Sequence, residues 1–358
     1  MNNNEKYYTY KIHSNSLEDI INDNKNKYCT YKSNSTEKYI TDNLEYFNKC
    51  KSYIIENINY FKSTHKDISK LYTYIRIPKR KGGYREIHAP SKELKDIQKK
   101  VADFFSNQLY VYPHNSAQAY VKHRDTLTNA QNHQNCKMIV ALDLKDFFTS
   151  IKKEKLITQL YKIGNISGVL TKEELENILD VCLLDDCLPQ GSSASPLLSN
   201  LFMIQFDYDI ELYAKKHNIV YTRYADDLFF SGDTIKPKAL IIEIKKLIDK
   251  IDLGIKLNEE KTKILRPGKC YITGIKINKE NKLTYGHEKK KELKHKIYNL
   301  FIKELNNELI KEEVQEVLGL FSYAKRIEPE YFTYLEEYYL KKFNSKHKKL
   351  TEHFKYIL

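Results

Sequence analysis

The chain has 358 residues and carries 60 Lys and Arg against 47 Asp and Glu, a formal net charge of +13 that favours a polyanionic partner. No run of eighteen apolar residues occurs and the opening MNNNEKYYTYK is polar, so no membrane-spanning helix or signal segment is expected; a soluble, cytoplasmic protein is. The six cysteines are scattered, and no second Cys or His pair flanks Cys182 and Cys187 at a zinc spacing, which points to buried free thiols.

Residues 1–65 are polar and rich in Asn and Tyr, with a helical pattern clearest from Thr36 to Phe61. They read as a helical N-terminal extension without assigned chemistry. Residues 71–77 and 84–89 form two short strands joined by PKRKGG, where Gly82 and Gly83 supply the turn. Ser91 is the N-cap expected for a helix reaching about Tyr110. Lys, Asn, Ile and Tyr are abundant together, a bias an AT-rich genome could give, so the position of Arg says more than bulk Lys. Of the seven Arg, Arg76, Arg80 and Arg85 fall within ten residues, and from 76 to 100 nine basic residues face three acids. Phosphate contacts are expected there, with a solvated charged helix face as the lesser alternative, more for 92–100 than for 76–85.

A strand over Lys137–Asp143 leads into helical segments at 152–162 and 171–181. The loop LPQGSSASP opens a helix from Pro196 to about His217. A hairpin over 219–231, a helix from about Lys236 to Asp252 and short strands near 254–257 and 271–277 follow. Leaving out the insertion, the order is β-α-β-β-α-β, the ferredoxin-like split βαβ unit, which makes the first strand and the hairpin neighbours. From His287 the pattern is helical, at roughly 287–308, 311–326 and 328–343, broken at Gly319 and Pro329. The tail KKFNSKHKK, with five Lys and no acid, reads as a frayed, solvated end before it reads as a nucleic-acid contact.

The chemistry concentrates in YTRYADDLFF, residues 221–230. A tandem acid pair is usually a solvated turn, as in LLDDC at 183–187. Asp226 and Asp227 differ because Tyr224, Leu228, Phe229 and Phe230 would hold their turn against a core. Asp143 ends another apolar run in KMIVALDLKDFF, and the split βαβ topology brings it beside them. Three carboxylates on neighbouring strand ends can hold two divalent cations roughly 4 Å apart, the arrangement nucleotidyl transfer needs.

These motifs resemble those of bacterial reverse transcriptases of the retron type. The YxDD box matches Tyr224-Ala225-Asp226-Asp227, the first catalytic box runs from Asp143 through Phe147-Phe148, and a third covers Leu188-Pro189-Gln190-Gly191-Ser192, continuing into Ser195-Pro196 and Ser199-Asn200. An NAxxH box stands at Asn129–His133, and a VTG-like box appears as Ile272-Thr273-Gly274, with Ile for Val. The resemblance is strong over about 66–285, weak over the last seventy residues and slight over the first sixty. It implies an α+β right-hand polymerase fold: an N-terminal helical extension over 1–65, fingers and ferredoxin-like palm over 66–284, and a helical thumb over 285–358. It implies two Mg2+ ions at Asp143, Leu144, Asp226 and Asp227. Lys79, Arg85, Phe148, Gln190 and Gly191 would form the dNTP site, Arg85 clamping the triphosphate by its bidentate fork and Phe148 leaving no room for a 2′-OH.

Phe148 also reads as a core aromatic, with Phe147 the better core member. Lys261 or Lys263 could protonate the leaving pyrophosphate, a solvated loop Lys being the plainer reading of each. Asn129 and His133 share a helical face that either contacts RNA or braces the fingers. Thr273, Gly274, Tyr298, Tyr323, Lys325 and Arg326 are the other candidate RNA contacts. The resemblance implies a cognate structured non-coding RNA, an RNA-linked multicopy DNA product (msDNA), and anti-phage defence with a separately encoded effector. Alternatives are a group II intron, diversity-generating or abortive-infection reverse transcriptase, or a non-catalytic RNA-binding scaffold.

Overall fold

In the computed structural model, which describes residues 8–10, 29–31, 40–78 and 82–358, the chain forms two units, 1–125 with 140–264 and 126–139 with 265–358. The stretch read as a helical extension contains a small antiparallel ladder of β1 (Tyr8–Tyr10) and β2 (Cys29–Tyr31). The helix α1 (Leu44–Thr64) follows, burying Phe47, Ile54, Ile58 and Phe61 at helical spacing. Strands β3 (Tyr72–Pro78) and β4 (Tyr84–Pro90) pair over their whole length, from Tyr72 opposite Pro90 to Pro78 opposite Tyr84. Helix α2 (Lys92–Asp103) is capped as expected, the Ser91 hydroxyl accepting from the Leu94 N–H at 3.3 Å, and passes into a π-helical turn at Phe104–Gln108.

The short α3 (Thr126–Gln131) belongs to the second unit. Strand β5 (Met138–Asp143) leads to α4 (Phe147–Ser150), α5 (Lys153–Tyr161), α6 (Gly164–Ser167) and α7 (Lys172–Leu179), the last opened by a capping box between Thr171 and Glu174. The single helix expected over 196–217 is two, α8 (Ser195–Phe202) and α9 (Ile204–Lys216), because Met203 leaves helical geometry at φ −87° and ψ 1°. Then come β6 (Val220–Tyr224), β7 (Asp227–Gly232), α10 (Pro237–Ile251) and β8 (Lys263–Leu265). The sheet order is β6-β7-β5-β8, the split βαβ topology with β5 and β7 at its centre. Its fourth strand is β8 and not residues 254–257. Gly254 at φ +76° turns the chain there, and only Leu257 reaches a bridge, to Leu144.

In the second unit, β9 (Cys270–Ile272), β10 (Ile275–Ile277) and β11 (Leu283–Thr284) form a sheet in the order β11-β10-β9. Thr273 at φ +45° and Gly274 at φ +84° make a two-residue hairpin turn, so the strand expected over 271–277 folds back on itself. Helices α11 (His287–Leu305), α12 (Lys311–Ile327), α13 (Pro329–Lys342) and α14 (Leu350–His353) complete it. The tail over 341–349 is largely exposed, as expected, though Phe343 stacks on Phe301 at 4.5 Å; beyond it the chain packs back, with Leu350 and Phe354 buried and His353 Nε2 meeting Glu304 Oε2 at 2.8 Å. Of the cysteines with described side chains, Cys136, Cys182, Cys187 and Cys270 are buried free thiols and Cys50 is half-buried.

Gly319 does not break α12. The buried series Val314, Val317, Leu318, Phe321 and Ala324 runs past it, so packing outweighs the local propensity. A Cβ built on Gly319 meets nothing within 4 Å. Gly319→Ala is therefore expected to stabilise the chain by about 0.5–1 kcal/mol, read as a raised midpoint in chemical denaturation.

Candidate active site

Strand pairing brings the three carboxylates together. The register sets Tyr224 opposite Asp227, leaving Ala225 and Asp226 as the turn between β6 and β7. Ala225 sits at φ +55°, a left-handed conformation costly for a residue with a Cβ. Leu228 and Phe230 on β7 are fully buried and anchor the turn from behind. At the end of β5, the Leu144 N–H donates to the Asp226 carbonyl at 2.9 Å, which stitches Asp143 and its neighbour to the tandem pair.

The electrostatics are those of crowded acids. The Asp227 carboxyl is pushed up to about 7 by burial first, then by Asp226 and Asp143, with Lys263 and Lys261 opposing. Asp226 is raised too, chiefly by burial, with Asp143 adding to it and Lys261 and Arg85 opposing. Lys261 donates to both oxygens of Asp143 at 2.9 and 3.1 Å, and that bond raises its own pKa. Lys261 is thus an ion-pair partner and not merely a solvated loop side chain. Among the described residues no three acid, His or Cys side chains already converge as a metal cage, and Asp143 is paired with Lys261. The donor chemistry nevertheless fits hard divalent cations: oxygen ligands only, and a cluster of carboxylates whose mutual repulsion a cation relieves.

Around this cluster stand the candidate nucleotide-binding residues. Phe147 is buried, whereas Phe148 is half-buried with its ring centroid 5.5 Å from that of Phe147 and 6.4 Å from that of Tyr120. Tyr120 has no counterpart in the sequence reading. Its φ of +61° belongs to no regular element, and nothing local separates it from 28 other tyrosines. Its phenol pKa is raised by burial and then by Asp226, while Arg85 opposes, so all three share one field. Arg85 is exposed on β4 opposite Ile77, and Lys79 lies outside the described residues. The Gln190 carbonyl accepts from the His88 N–H at 2.7 Å, and Gly191 follows at φ +116°. The loop expected to line a nucleotide is therefore bound to the basic hairpin.

The two boxes at 129–133 and 272–274 meet in the second unit. Thr273 Oγ1 donates to the Thr126 carbonyl at 3.0 Å, and the Tyr323 and Thr126 hydroxyls lie 2.8 Å apart. Asn129 and His133 are fully buried, and burial holds the imidazole down to about 3. Of the two readings of that box, packing fits the structure and direct RNA contact does not, because no surface of either side chain is offered. Lys289 Nζ caps the Gly274 carbonyl at 2.7 Å. Lys325 pairs with the buried Glu336 at 2.6 Å, and Lys342 stands 4.9 Å over the Tyr298 ring. Arg326 is exposed. Among the described residues no helix is long and apolar enough to cross a membrane.

The family described as reverse transcriptase (RNA-dependent DNA polymerase) matches residues 77–318. The chain is 32% identical over 250 residues to the retron Ec86 reverse transcriptase of Escherichia coli, covering 68% of this chain and 72% of that one. It is 33% identical over 276 residues to the retron Ec73 reverse transcriptase of Escherichia coli, covering 74% and 85%. A solved structure of apo telomerase from Candida tropicalis is similar with a TM-score of 0.45 at 14% identity, covering 88% of this chain and 67% of that one.

Proposed function

The chain belongs to the retron reverse transcriptases, and from that membership we propose that it copies part of a cognate structured non-coding RNA into single-stranded DNA that stays joined to the RNA as msDNA. It is an RNA-directed DNA polymerase. The observation that carries the site assignment is the Leu144 N–H bound to the Asp226 carbonyl, which aligns Asp143 with Asp226 and Asp227.

Those three carboxylates, with the backbone of Leu144, would hold two Mg2+ ions, which would supply Lewis-acid activation of the primer hydroxyl and charge stabilisation for the departing pyrophosphate. Arg85 grips the triphosphate by its planar fork, with Lys79 as a point-charge helper, while Gln190 and Gly191 line the nucleotide site. Lys261, released from Asp143, gives a proton to the leaving group. Residues 66–284 act as fingers and palm, 285–358 as the thumb, and 1–65 as an extension. Gly274, Tyr298, Lys325 and Arg326 meet the RNA, over a surface shaped by Thr273 and Tyr323. The enzyme works in the cytoplasm beside a separate effector in anti-phage defence.

The test uses purified protein, the structured RNA encoded beside its gene, dNTPs and Mg2+. The expected product is DNA whose gel mobility increases on RNase treatment. No DNA at all removes the proposed active site, and DNA without attached RNA removes the msDNA reading. Phe148→Ala should lower discrimination against rNTPs on the order of a hundred-fold while dNTP incorporation continues, because the steric bar to the 2′-OH is gone. Competition between labelled dNTP and rNTP measures it.

A further inference from the structure

Arg223 is the penultimate residue of β6, and its side chain and that of its partner Asp207 are both 0% exposed. Nε donates to the two Asp207 oxygens at 2.8 and 3.1 Å and Nη2 donates to Oδ2 at 2.6 Å. The remaining nitrogen, Nη1, donates to Asn200 Oδ1 at 2.9 Å and to the Ala225 carbonyl at 3.2 Å. Tyr221 completes the acid's shell, its hydroxyl donating to Asp207 Oδ1 at 2.8 Å.

Two of these partners belong to elements of the site. Ala225 is the left-handed residue of the turn that carries Asp226 and Asp227. Asn200 stands on α8, the helix that follows the Gln190–Gly191 loop in the chain, and its Nδ2 donates to the Ala119 carbonyl at 2.9 Å, beside Tyr120. The Arg223 backbone reaches the same segment: its N–H donates to the Ser116 carbonyl and its carbonyl accepts from the Gln118 N–H, both at 2.7 Å.

A buried ion pair is a poor way to gain stability, because apolar residues of equal volume commonly do as well or better. What a guanidinium supplies is geometry. Its five donors in a rigid plane serve a carboxylate, an amide and a strained carbonyl at once, which an ammonium on a flexible stem does not. We propose that Arg223 is a positioning residue that fixes the Ala225–Asp227 turn relative to α8 and to the Tyr120 segment. The inference rests on the polymerase reading above.

Arg223→Lys retains a charge for Asp207 and gives up the bonds to Ala225 and Asn200. The paired variant Arg223→Met with Asp207→Leu removes the network without leaving a buried charge. For both, thermal melting, RNA binding, kcat and KM for dNTP, and Mn2+ affinity by calorimetry are compared with the wild type. The expected result is folded protein with wild-type RNA binding, a kcat reduced on the order of a hundred-fold and weakened Mn2+ binding. Melting temperatures that change while kcat and Mn2+ affinity stay within about threefold of wild type overturn the proposal. So does failure of both variants to fold, which makes the network a folding element. A wild type that makes no DNA defeats the polymerase reading instead, and the Mn2+ arm still decides the role of Arg223.

Discussion

Asp227→Asn should cut RNA-templated dNTP incorporation by at least about a thousand-fold and leave RNA binding at the wild-type level. Lewis-acid stabilisation of a transferring phosphoryl group is worth several kcal/mol, and that is the scale of the loss. Asn keeps the shape and hydrogen-bonding reach of the side chain and removes the charge, so the turn and its buried anchors at Leu228 and Phe230 stay in place. Primer extension on the cognate RNA, beside a filter-binding measurement, gives both readouts. A variant that still extends at a tenth of the wild-type rate would take Asp227 out of the candidate ligand set.

The same substitution changes stability in a direction set by the crowding. Burial, Asp226 and Asp143 hold the Asp227 carboxyl at about 7, above the ordinary value near 4. Between those values the folded chain keeps a proton that the unfolded chain has released. Folding therefore loses stability as pH rises through that window, and the loss is complete above it. Metal-free wild type should melt lower at pH 8 than at pH 5 through this group. Asp227→Asn should flatten the difference, and added Mg2+ should raise the wild-type melting temperature at pH 8 more than that of the variant. The cluster is a place where activity costs stability.

The carboxylates were legible because strand signals are local: apolar runs on each side of YADD and before Asp143 mark a hairpin and a neighbouring strand, and topology does the rest. Ser91 was legible for the same reason, since a cap and its helix lie within four residues. What escaped depends on distant partners. Arg223 carried a signal, a cation inside a strand of β-branched and aromatic residues, but its partner Asp207 sits on another element and nothing local pairs them. Tyr120 acquires its place only when its segment lies along β6. The box at 129–133 could be either packing or RNA contact until burial decided, because a helical face looks the same from sequence in both cases. Gly319 and the region 254–257 failed in opposite ways: a helix breaker was overridden by a continuous buried face, and an extended run was overruled by a left-handed glycine.

Gly191→Ala should separate the nucleotide site from the metal site. At φ +116° any side chain is strained, and a Cβ there would lie 2.6 Å from the His88 carbonyl oxygen and 2.9 Å from Ile87 Cγ2. The first of these is backbone of β4 and cannot rotate away, so the loop must lift off the strand. Lifting breaks the His88 N–H bond to the Gln190 carbonyl, which ties the Gln190 loop to the hairpin that carries Arg85. Backbone strain and overpacking together are worth roughly 2–5 kcal/mol of stability. Displacing Gln190 relative to Arg85 by about an ångström is enough to lower kcat/KM for dNTP on the order of a hundred-fold. The Mg2+ concentration for half-maximal rate should stay near the wild-type value, because the turn at 225–227 is untouched. That split distinguishes it from Asp227→Asn, which acts through the cations. Steady-state kinetics across dNTP and Mg2+ concentrations, with thermal melts alongside, measure it, and a Gly191→Ala enzyme with wild-type KM and melting temperature would mean that the loop does not rest on β4.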